Sequence, residues 1–175
     1  MVGVLDIQGS VEEHVACLKR LGISAVLVKK AEHLKGLNGL IIPGGESTTI
    51  GKLLVRFGLR DAIVQCAADG MAIWGTCAGA ILLAKEVLGG DVDGLKLMDV
   101  VVERNAYGSQ LDSFECEVDF DGVGKIPAVF IRAPKIVSVG DDVEVLARIG
   151  EEIVAAREGG FLISTFHPEL TDSLK

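Results

Sequence analysis

Hydrophobic residues in the first half of the chain alternate between short continuous runs and a helical spacing. Runs rich in β-branched and aliphatic residues predict strands, and apolar residues that recur every three to four positions predict helices. Strands that are apolar throughout are typical of a parallel sheet covered on both faces. The pattern therefore predicts β-α-β architecture, with strands at residues 2–7, 23–28, 40–42 and 71–74 and helices at residues 11–21 and 53–68.

After residue 90, apolar runs follow one another closely, without helical segments between them. Neighbouring strands joined by short turns pair antiparallel, whereas parallel neighbours need a long crossover. The fold class we expect is α/β, with a mixed, mainly parallel central sheet and added antiparallel hairpins. The strands predicted in this half are residues 100–103, 114–120, 128–132, 143–149, 152–156 and 161–166.

Length and composition narrow the class of protein. A chain of 175 residues without repeats or linkers suits a single domain, residues 1–175. Its net charge of -8 argues against a nucleic-acid or membrane-surface partner, because both need clustered Lys and Arg. The four cysteines form no C-x-x-C pair and follow no signal peptide, so we expect reduced thiols in a cytoplasmic protein. No residue pattern points to a metal or a bound cofactor.

The most specific chemical signal is a cysteine between two glycines, where a buried strand gives way to an apolar helix. In Gly75-Thr-Cys77-Ala-Gly79, only glycine allows strand and helix to pack closely enough for a nucleophile elbow. At a helix N-terminus the free N–H groups and the helix dipole favour the thiolate. Cys77 is therefore the candidate nucleophile.

A histidine and a carboxylate follow the last predicted strand. His167 and Glu169 are two positions apart, so on an extended segment their side chains point the same way and the carboxylate can orient the imidazole. A histidine held in this way can act as base for a thiol. Functional residues of open α/β sheets gather at the carboxyl ends of strands, where both Cys77 and His167 are expected.

Further polar candidates also follow strands. One of them is the motif Pro43-Gly-Gly-Glu-Ser47, which follows the third strand. Its glycines can turn backbone N–H groups inward to form an oxyanion hole. The alternative is a tight turn in which Ser-Thr-Thr caps the next helix. Arg104, in the turn at residues 104–110, and Arg132 could each bind a carboxylate or be solvated.

The remaining cysteines and histidines are interpreted as structural. Cys17, Cys66 and Cys116 lie in patterned elements without a histidine or glycine turn nearby, so we expect small buried hydrophobes. His14 and His33 have no acid at strand spacing, and we expect surface histidines or histidines with satisfied hydrogen bonds.

Taken together, six ordered motifs resemble those of the class I glutamine amidotransferases, and within that class those of the glutaminase subunits of pyridoxal 5′-phosphate synthase. The resemblance covers nearly the whole chain and implies a flavodoxin-like, three-layer fold. The motifs are Ile7-Gln-Gly9 followed by Glu13-His14, Pro43-Gly-Gly-Glu-Ser-Thr-Thr49, Gly75-Thr-Cys-Ala-Gly79, Arg104-Asn-Ala-Tyr-Gly108, Phe130-Ile-Arg-Ala-Pro134 and Thr165-Phe-His-Pro-Glu-Leu-Thr171.

The resemblance also implies an activity. Cys77 would attack the side-chain amide of L-glutamine, with His167 moving protons, Glu169 orienting His167, and a glutamyl thioester as intermediate. The backbone N–H groups of Gly45 and Ala78 would hold the oxyanion. The glutamine pocket would be lined by Gly45, Glu46, Ser47, Arg104, Ile131 and Arg132. The ammonia would pass to a separate (β/α)8-barrel synthase subunit, so the implied partner is a protein.

The sequence departs from this family at one position near the pocket, and other interpretations remain. Ser109 stands where family members usually carry Arg or Lys. The alternatives are a glutaminase subunit of another amidotransferase, such as imidazole glycerol phosphate synthase, a thiol peptidase of the same superfamily, and a subunit that keeps the fold without turnover. The intact Cys77, His167 and Glu169 argue against the last.

Overall fold

The computed structural model of the protein describes residues 1–104 and 113–174. In this part of the chain one mixed sheet of twelve strands is flanked by four α-helices. The helices are α1 (Val11–Arg20), α2 (Ser47–Arg56), α3 (Leu59–Ala68) and α4 (Ala78–Leu83). The strands are β1 (Val2–Leu5), β2 (Ala25–Val28), β3 (Gly39–Ile42), β4 (Ala72–Thr76), β5 (Ala84–Leu88), β6 (Met98–Glu103), β7 (Ser113–Phe120), β8 (Gly124–Ile131), β9 (Lys135–Val139), β10 (Glu144–Ile149), β11 (Glu152–Glu158) and β12 (Phe161–Ser164).

The first part of the sheet is parallel, in the order β2-β1-β3-β4-β12. Gly75 of β4 pairs with Ile42 of β3 on one side and with Ile163 of β12 on the other. The carboxyl ends of β1, β3, β4 and β12 therefore lie along the same edge of the sheet. This edge collects the four loops that carry the glycine, cysteine and histidine motifs.

The second part of the sheet is mostly antiparallel, in the order β12-β11-β10-β7-β8. A branch adds β9 to β11 and β6 to β9, both antiparallel, and β5 pairs parallel with β6. The edge strand β8 contains Pro127, which has no N–H to donate and fits an edge position. The predicted mixed α/β sheet with antiparallel hairpins is confirmed.

Side chains of the parallel strands alternate between two helical layers. Val4 and Ile41 pack with Val11 and Leu18 of α1 on one face. On the other face, Leu5, Leu40, Ile42 and Ile73 join the larger core with residues of α2, α3 and α4. Because both faces are covered, the strands are apolar throughout, as the sequence pattern predicted. None of the helices in the described residues is long and apolar enough to cross a membrane.

One predicted helix was wrong in extent, and the helix after the elbow, predicted without bounds, is short. The helix predicted at residues 53–68 is two helices, because Gly58 adopts a left-handed conformation with φ 66° between the end of α2 at Arg56 and the start of α3 at Leu59. The helix after Cys77 ends at Leu83, and residue 84 already belongs to β5, which pairs with β6. Strands β5 and β9 were not predicted.

Candidate active site

The loops after β1, β3, β4 and β12 surround a cleft of about 480 Å³. Nine of the ten predicted site residues line it: Gly45, Glu46, Ser47, Cys77, Ala78, Arg104, Ile131, Arg132 and His167. The tenth, Glu169, has a fully buried side chain and contacts the imidazole of His167. The structure thus brings together side chains from both halves of the sequence.

Cys77 adopts the strained conformation of an elbow, with φ 48° and ψ −101° at the junction of β4 and α4. Its backbone N–H donates to the Ser164 carbonyl at 2.8 Å, and its own carbonyl accepts from Ala80 N–H at 3.1 Å. The thiol Sγ faces the cleft, 3.9 Å from the carbonyl oxygen of Ile131. The elbow therefore holds the sulfur at the carboxyl edge of the parallel strands, directly after β4.

His167 is fixed from two sides. Its backbone N–H donates to the Val129 carbonyl at 2.7 Å, and Nδ1 lies 2.7 Å from Glu169 Oε1. Burial by itself lowers the pKa of His167, but its hydrogen bonds with Cys77 and Glu169 outweigh burial and raise that pKa to about 10. Burial likewise opposes ionisation of Glu169, yet the bond to His167 keeps the pKa of Glu169 below its ordinary value. At neutral pH the pair is an imidazolium and a carboxylate.

The glycine loop after β3 packs tightly against this pair. Gly44 lies so close to His167 that a β-carbon at residue 44 would collide with the imidazole. The Gly44 carbonyl accepts from Ser10 N–H at 3.0 Å, and Glu46 N–H donates to Gln8 Oε1 at 2.8 Å. Because a trans peptide directs its C=O and N–H in opposite directions, the N–H of Gly45 points away from Ser10.

Glu46 caps the helix that follows this loop. Its carboxylate accepts from Thr48 N–H at 3.0 Å, from Thr49 N–H at 2.7 Å and from the Thr49 hydroxyl at 2.6 Å. The Thr49 hydroxyl bond is the main cause that lowers the pKa of Glu46 to about 2. Arg104 Nη2 lies 3.3 Å from Glu46 Oε1. The N-cap of α2 is therefore Glu46 and not the Ser47-Thr-Thr49 segment that the sequence suggested. Ser47 is buried and lines the cleft.

Sequence reasoning missed a polar cluster behind the cleft. Ser10 Oγ donates to Glu169 Oε1 at 2.7 Å, and His14 Nε2 lies 3.1 Å from Thr76 Oγ1 and 3.5 Å from Glu169 Oε1. His14 is only 3% exposed, so it is not a surface histidine, and the acid that faces it is distant in sequence. Burial is the main cause that lowers the pKa of His14, which is neutral at neutral pH. The only hint of this cluster in the sequence was the Glu13-His14 pair, which does not reveal that Thr76 and Glu169 face His14.

The other predicted structural residues lie outside the lining of the cleft. Cys17, Cys66 and Cys116 are free thiols, half-buried rather than fully buried as expected. His33 Nδ1 lies 3.0 Å from the Leu27 carbonyl oxygen. Among the described residues, no group of three or more His, Cys, Asp or Glu side chains is placed to hold a metal ion. Ser109 and the rest of the turn at residues 105–110 lie outside the described residues.

Comparison with known proteins identifies the family. The sequence model of the SNO glutamine amidotransferase family matches residues 4–175. The chain belongs to this family. It is 56% identical over 172 residues to the pyridoxal 5′-phosphate synthase subunit PdxT of Geobacillus thermodenitrificans, covering 98% of this chain and 88% of the relative.

Another relative and a solved structure agree with this assignment. The subunit of the same name from Caldicellulosiruptor saccharolyticus is 56% identical over 171 residues, covering 97% of this chain and 90% of the relative. A crystal structure described as a glutamine amidotransferase superposes with a TM-score of 0.96 at 51% identity, covering 99% of this chain and 93% of that one. As a member of this family the chain is an enzyme, a glutamine amidotransferase.

Proposed function

We propose that residues 1–175 form a single glutaminase domain that hydrolyses L-glutamine to L-glutamate and ammonia for pyridoxal 5′-phosphate synthesis. Relatives with more than half of their residues identical carry the name of a subunit of that synthase. The observation that carries the proposal is the 2.7 Å contact of His167 with Glu169 in the same cleft as the strained Cys77. A thiol, an imidazole and a carboxylate in this order are the groups needed for nucleophilic acyl transfer.

In the first half of the reaction, Cys77 Sγ attacks the side-chain carbonyl carbon of glutamine. The thiolate is the nucleophilic form of a cysteine, and the imidazolium of His167 supplies the positive charge beside the attacking sulfur. The same imidazolium then gives its proton to the departing amide nitrogen, so that ammonia leaves and a glutamyl thioester remains. Glu169 keeps the Nδ1 side of His167 occupied, which directs the other ring nitrogen to the reaction.

In the second half, a water molecule attacks the thioester and His167 accepts a proton from it. The carbon–sulfur bond breaks, glutamate leaves and Cys77 returns to its starting state. The tetrahedral oxyanion of both halves would be held by the backbone N–H groups of Gly45 and Ala78. Arg104, Glu46, Ser47, Ile131 and Arg132 would bind the amino-acid end of glutamine, since they line the remainder of the cleft.

The proposed partner is a (β/α)8-barrel synthase subunit that receives the ammonia, in a cytoplasmic complex. Ammonia released to solvent would be protonated and lost to the synthesis, so the glutaminase must be docked where the barrel can accept it. The negative net charge of this chain, -8, is compatible with a protein partner rather than a polyanion.

The test is glutamate release from glutamine by the wild-type chain and by Cys77→Ala, each alone and with the barrel synthase. Cys116→Ser is the matched control, because Cys116 is a free thiol on β7 and does not line the cleft. We expect turnover that rises with the synthase, vanishes in Cys77→Ala and persists in Cys116→Ser. Absence of glutamate from the wild type under both conditions would contradict the proposal.

A further inference from the structure

We propose that His14 is a positioning residue for the reaction, because it fixes the carboxylate that orients His167. This inference rests on the proposed function of the cleft. It assigns a role to a histidine that does not line the cleft and that lies behind the pair formed by His167 and Glu169.

The polar contacts of the Glu169 carboxylate are concentrated on one oxygen, with hydrogen bonds from Ser10 and His167 and a longer contact with His14. Oε1 lies 2.7 Å from Ser10 Oγ, 2.7 Å from His167 Nδ1 and 3.5 Å from His14 Nε2. Oε2 has no hydrogen-bond partner among the described residues, and the side chain is fully buried. The groups around Oε1 therefore determine how the carboxylate is turned toward His167.

The tautomer of His14 that serves this role is the one with the proton on Nε2. A carboxylate oxygen at 3.5 Å and the Thr76 hydroxyl at 3.1 Å lie on this side of the ring. An ionised carboxylate can only accept hydrogen bonds, whereas the Thr76 hydroxyl can donate or accept, so the proposal assigns the proton of a neutral His14 to Nε2. The N–H dipole then points at Thr76 and Glu169 and stabilises the carboxylate in its present orientation.

Packing holds the His14 ring in this position. The imidazole is 3% exposed and stands edge-on to the Trp74 indole, with ring centroids 6.3 Å apart and an interplanar angle of 77°. Thr76, which precedes Cys77 on the elbow, is fully buried. His14 thus links α1 to the elbow through Thr76 and faces Glu169 with the same nitrogen.

The test compares two substitutions of equal chain length. His14→Gln keeps an N–H donor near the place of Nε2, and His14→Met has a similar shape without the donor. With the synthase present, we expect kcat of the Met variant to fall about tenfold while KM stays within about twofold, and the Gln variant to keep most of kcat. A Met variant with wild-type kcat, or Gln and Met variants equally impaired at unchanged unfolding midpoints, would overturn the proposal.

A spectroscopic readout separates this proposal from the proposed function. The proton on His167 Nδ1 should give a downfield imidazole signal in the wild type that disappears in Glu169→Ala. We expect the signal to shift in His14→Met and to be retained in His14→Gln, even if no glutamate is formed. An unchanged signal in the Met variant overturns the role of His14, whereas an inactive wild type overturns only the glutaminase.

A second pair of variants covers the case in which His14→Met does not fold. His14→Asn carries the same amide as His14→Gln but is one methylene shorter, so it cannot reach Glu169 from the same backbone position. We expect the Asn variant to lose kcat and to shift the imidazole signal relative to the Gln variant. Identical behaviour of these two polar variants would show that the donor position is irrelevant.

Discussion

Gly75 on β4 and Gly79 on α4 are in direct contact, because a β-carbon at residue 75 would lie 2.5 Å from the carbonyl carbon and oxygen of Gly79. Gly79 in turn lies against β3, where a β-carbon would collide with the Ile42 carbonyl. The elbow that presents Cys77 therefore requires residues without a β-carbon at both positions. This confirms the prediction that only glycine permits the close approach of strand and helix.

Gly79→Ala should displace α4 from β3 and move the Cys77 thiol. The added methyl meets backbone, which cannot rotate away, so we expect a loss of about 1–3 kcal/mol in unfolding free energy and strongly reduced glutamine hydrolysis. Denaturant unfolding and glutamate release measure the two effects. Gly160→Ala is the control, since its β-carbon would make an ordinary contact of 3.8 Å with Ala72. Equal stability of the two variants would refute the packing argument.

Gly44→Ala should impair the reaction more than the fold. A methyl at residue 44 would strike the His167 imidazole and break its alignment with Glu169. We expect kcat to fall at least about tenfold, because misplacement of a reacting group by an ångström has effects of this order or larger. The control is Gly39→Ala, on the strand β3 that precedes this loop. Its β-carbon would lie 3.6 Å from the Ala72 carbonyl oxygen, and the variant should retain activity. Wild-type kcat in the Gly44 variant would contradict the contact.

The pH dependence of hydrolysis should report the coupling of His167 to Glu169. The pKa of His167 is raised to about 10, so the imidazolium persists below that pH and is lost above it. Glu169→Gln removes one of the groups that raise this pKa, and the alkaline decline of kcat/KM should therefore move to lower pH. Glu13→Gln, a neutralised carboxylate in the same cleft, should leave that decline in place. If the alkaline decline moved equally in both variants, the loss of any nearby negative charge would explain it, and not the hydrogen bond of Glu169 to His167.

Acid should weaken the cap of α2. The pKa of Glu46 is about 2 in the folded chain, against an ordinary value of 4.5, so its contribution to stability is complete above pH 4.5 and is lost as pH falls toward about 2. Glu46 is largely exposed, and we expect Glu46→Gln to cost less than about 1 kcal/mol near neutral pH and almost nothing near pH 2. Urea unfolding at several pH values measures this. The control is Glu151→Gln, in an exposed turn. Its difference in unfolding free energy from the wild type should not depend on pH in this way.

The parts of the site predicted from sequence are those whose chemistry is local. Cys77 is marked by its flanking glycines and His167 by Glu169 two positions away, so short motifs sufficed. Ser10 and Glu169 are separated by 159 positions, and their hydrogen bond exists only because β1 and β12 end at the same edge of the sheet. Of the two expectations for His14, a histidine with a satisfied hydrogen bond is the one that the structure shows, through Thr76. The proximity of Glu169 to His14 was not predicted, since a motif does not indicate which distant acid will face it.

The fold shows the same division. Apolar strands and the β-α-β order were predicted from periodicity, which is a local property. The break at Gly58 was missed because one glycine inside an amphipathic pattern is compatible with a continuous helix, and its positive φ is not visible in the pattern. Strand β5 was missed because its residues follow an apolar helix directly and are strand only through pairing with β6.

Arg132 offers a test of the glutamine pocket that is independent of the thiol. It lines the cleft in a left-handed conformation, with φ 41°, and Lys96 adopts φ 55° outside the cleft. Glycine at either position removes the strain of a positive φ, which stabilises the folded chain, but it also raises the conformational entropy of the unfolded chain. Because these effects oppose each other, we expect each variant to change the unfolding free energy by less than about 1 kcal/mol. Only Arg132→Gly should raise KM for glutamine, by about tenfold, because a charge-assisted hydrogen bond of about 1.5 kcal/mol is lost. If KM is unchanged in Arg132→Gly, the amino-acid end of glutamine binds elsewhere in the cleft, and Arg104 becomes the remaining cation of the proposed pocket.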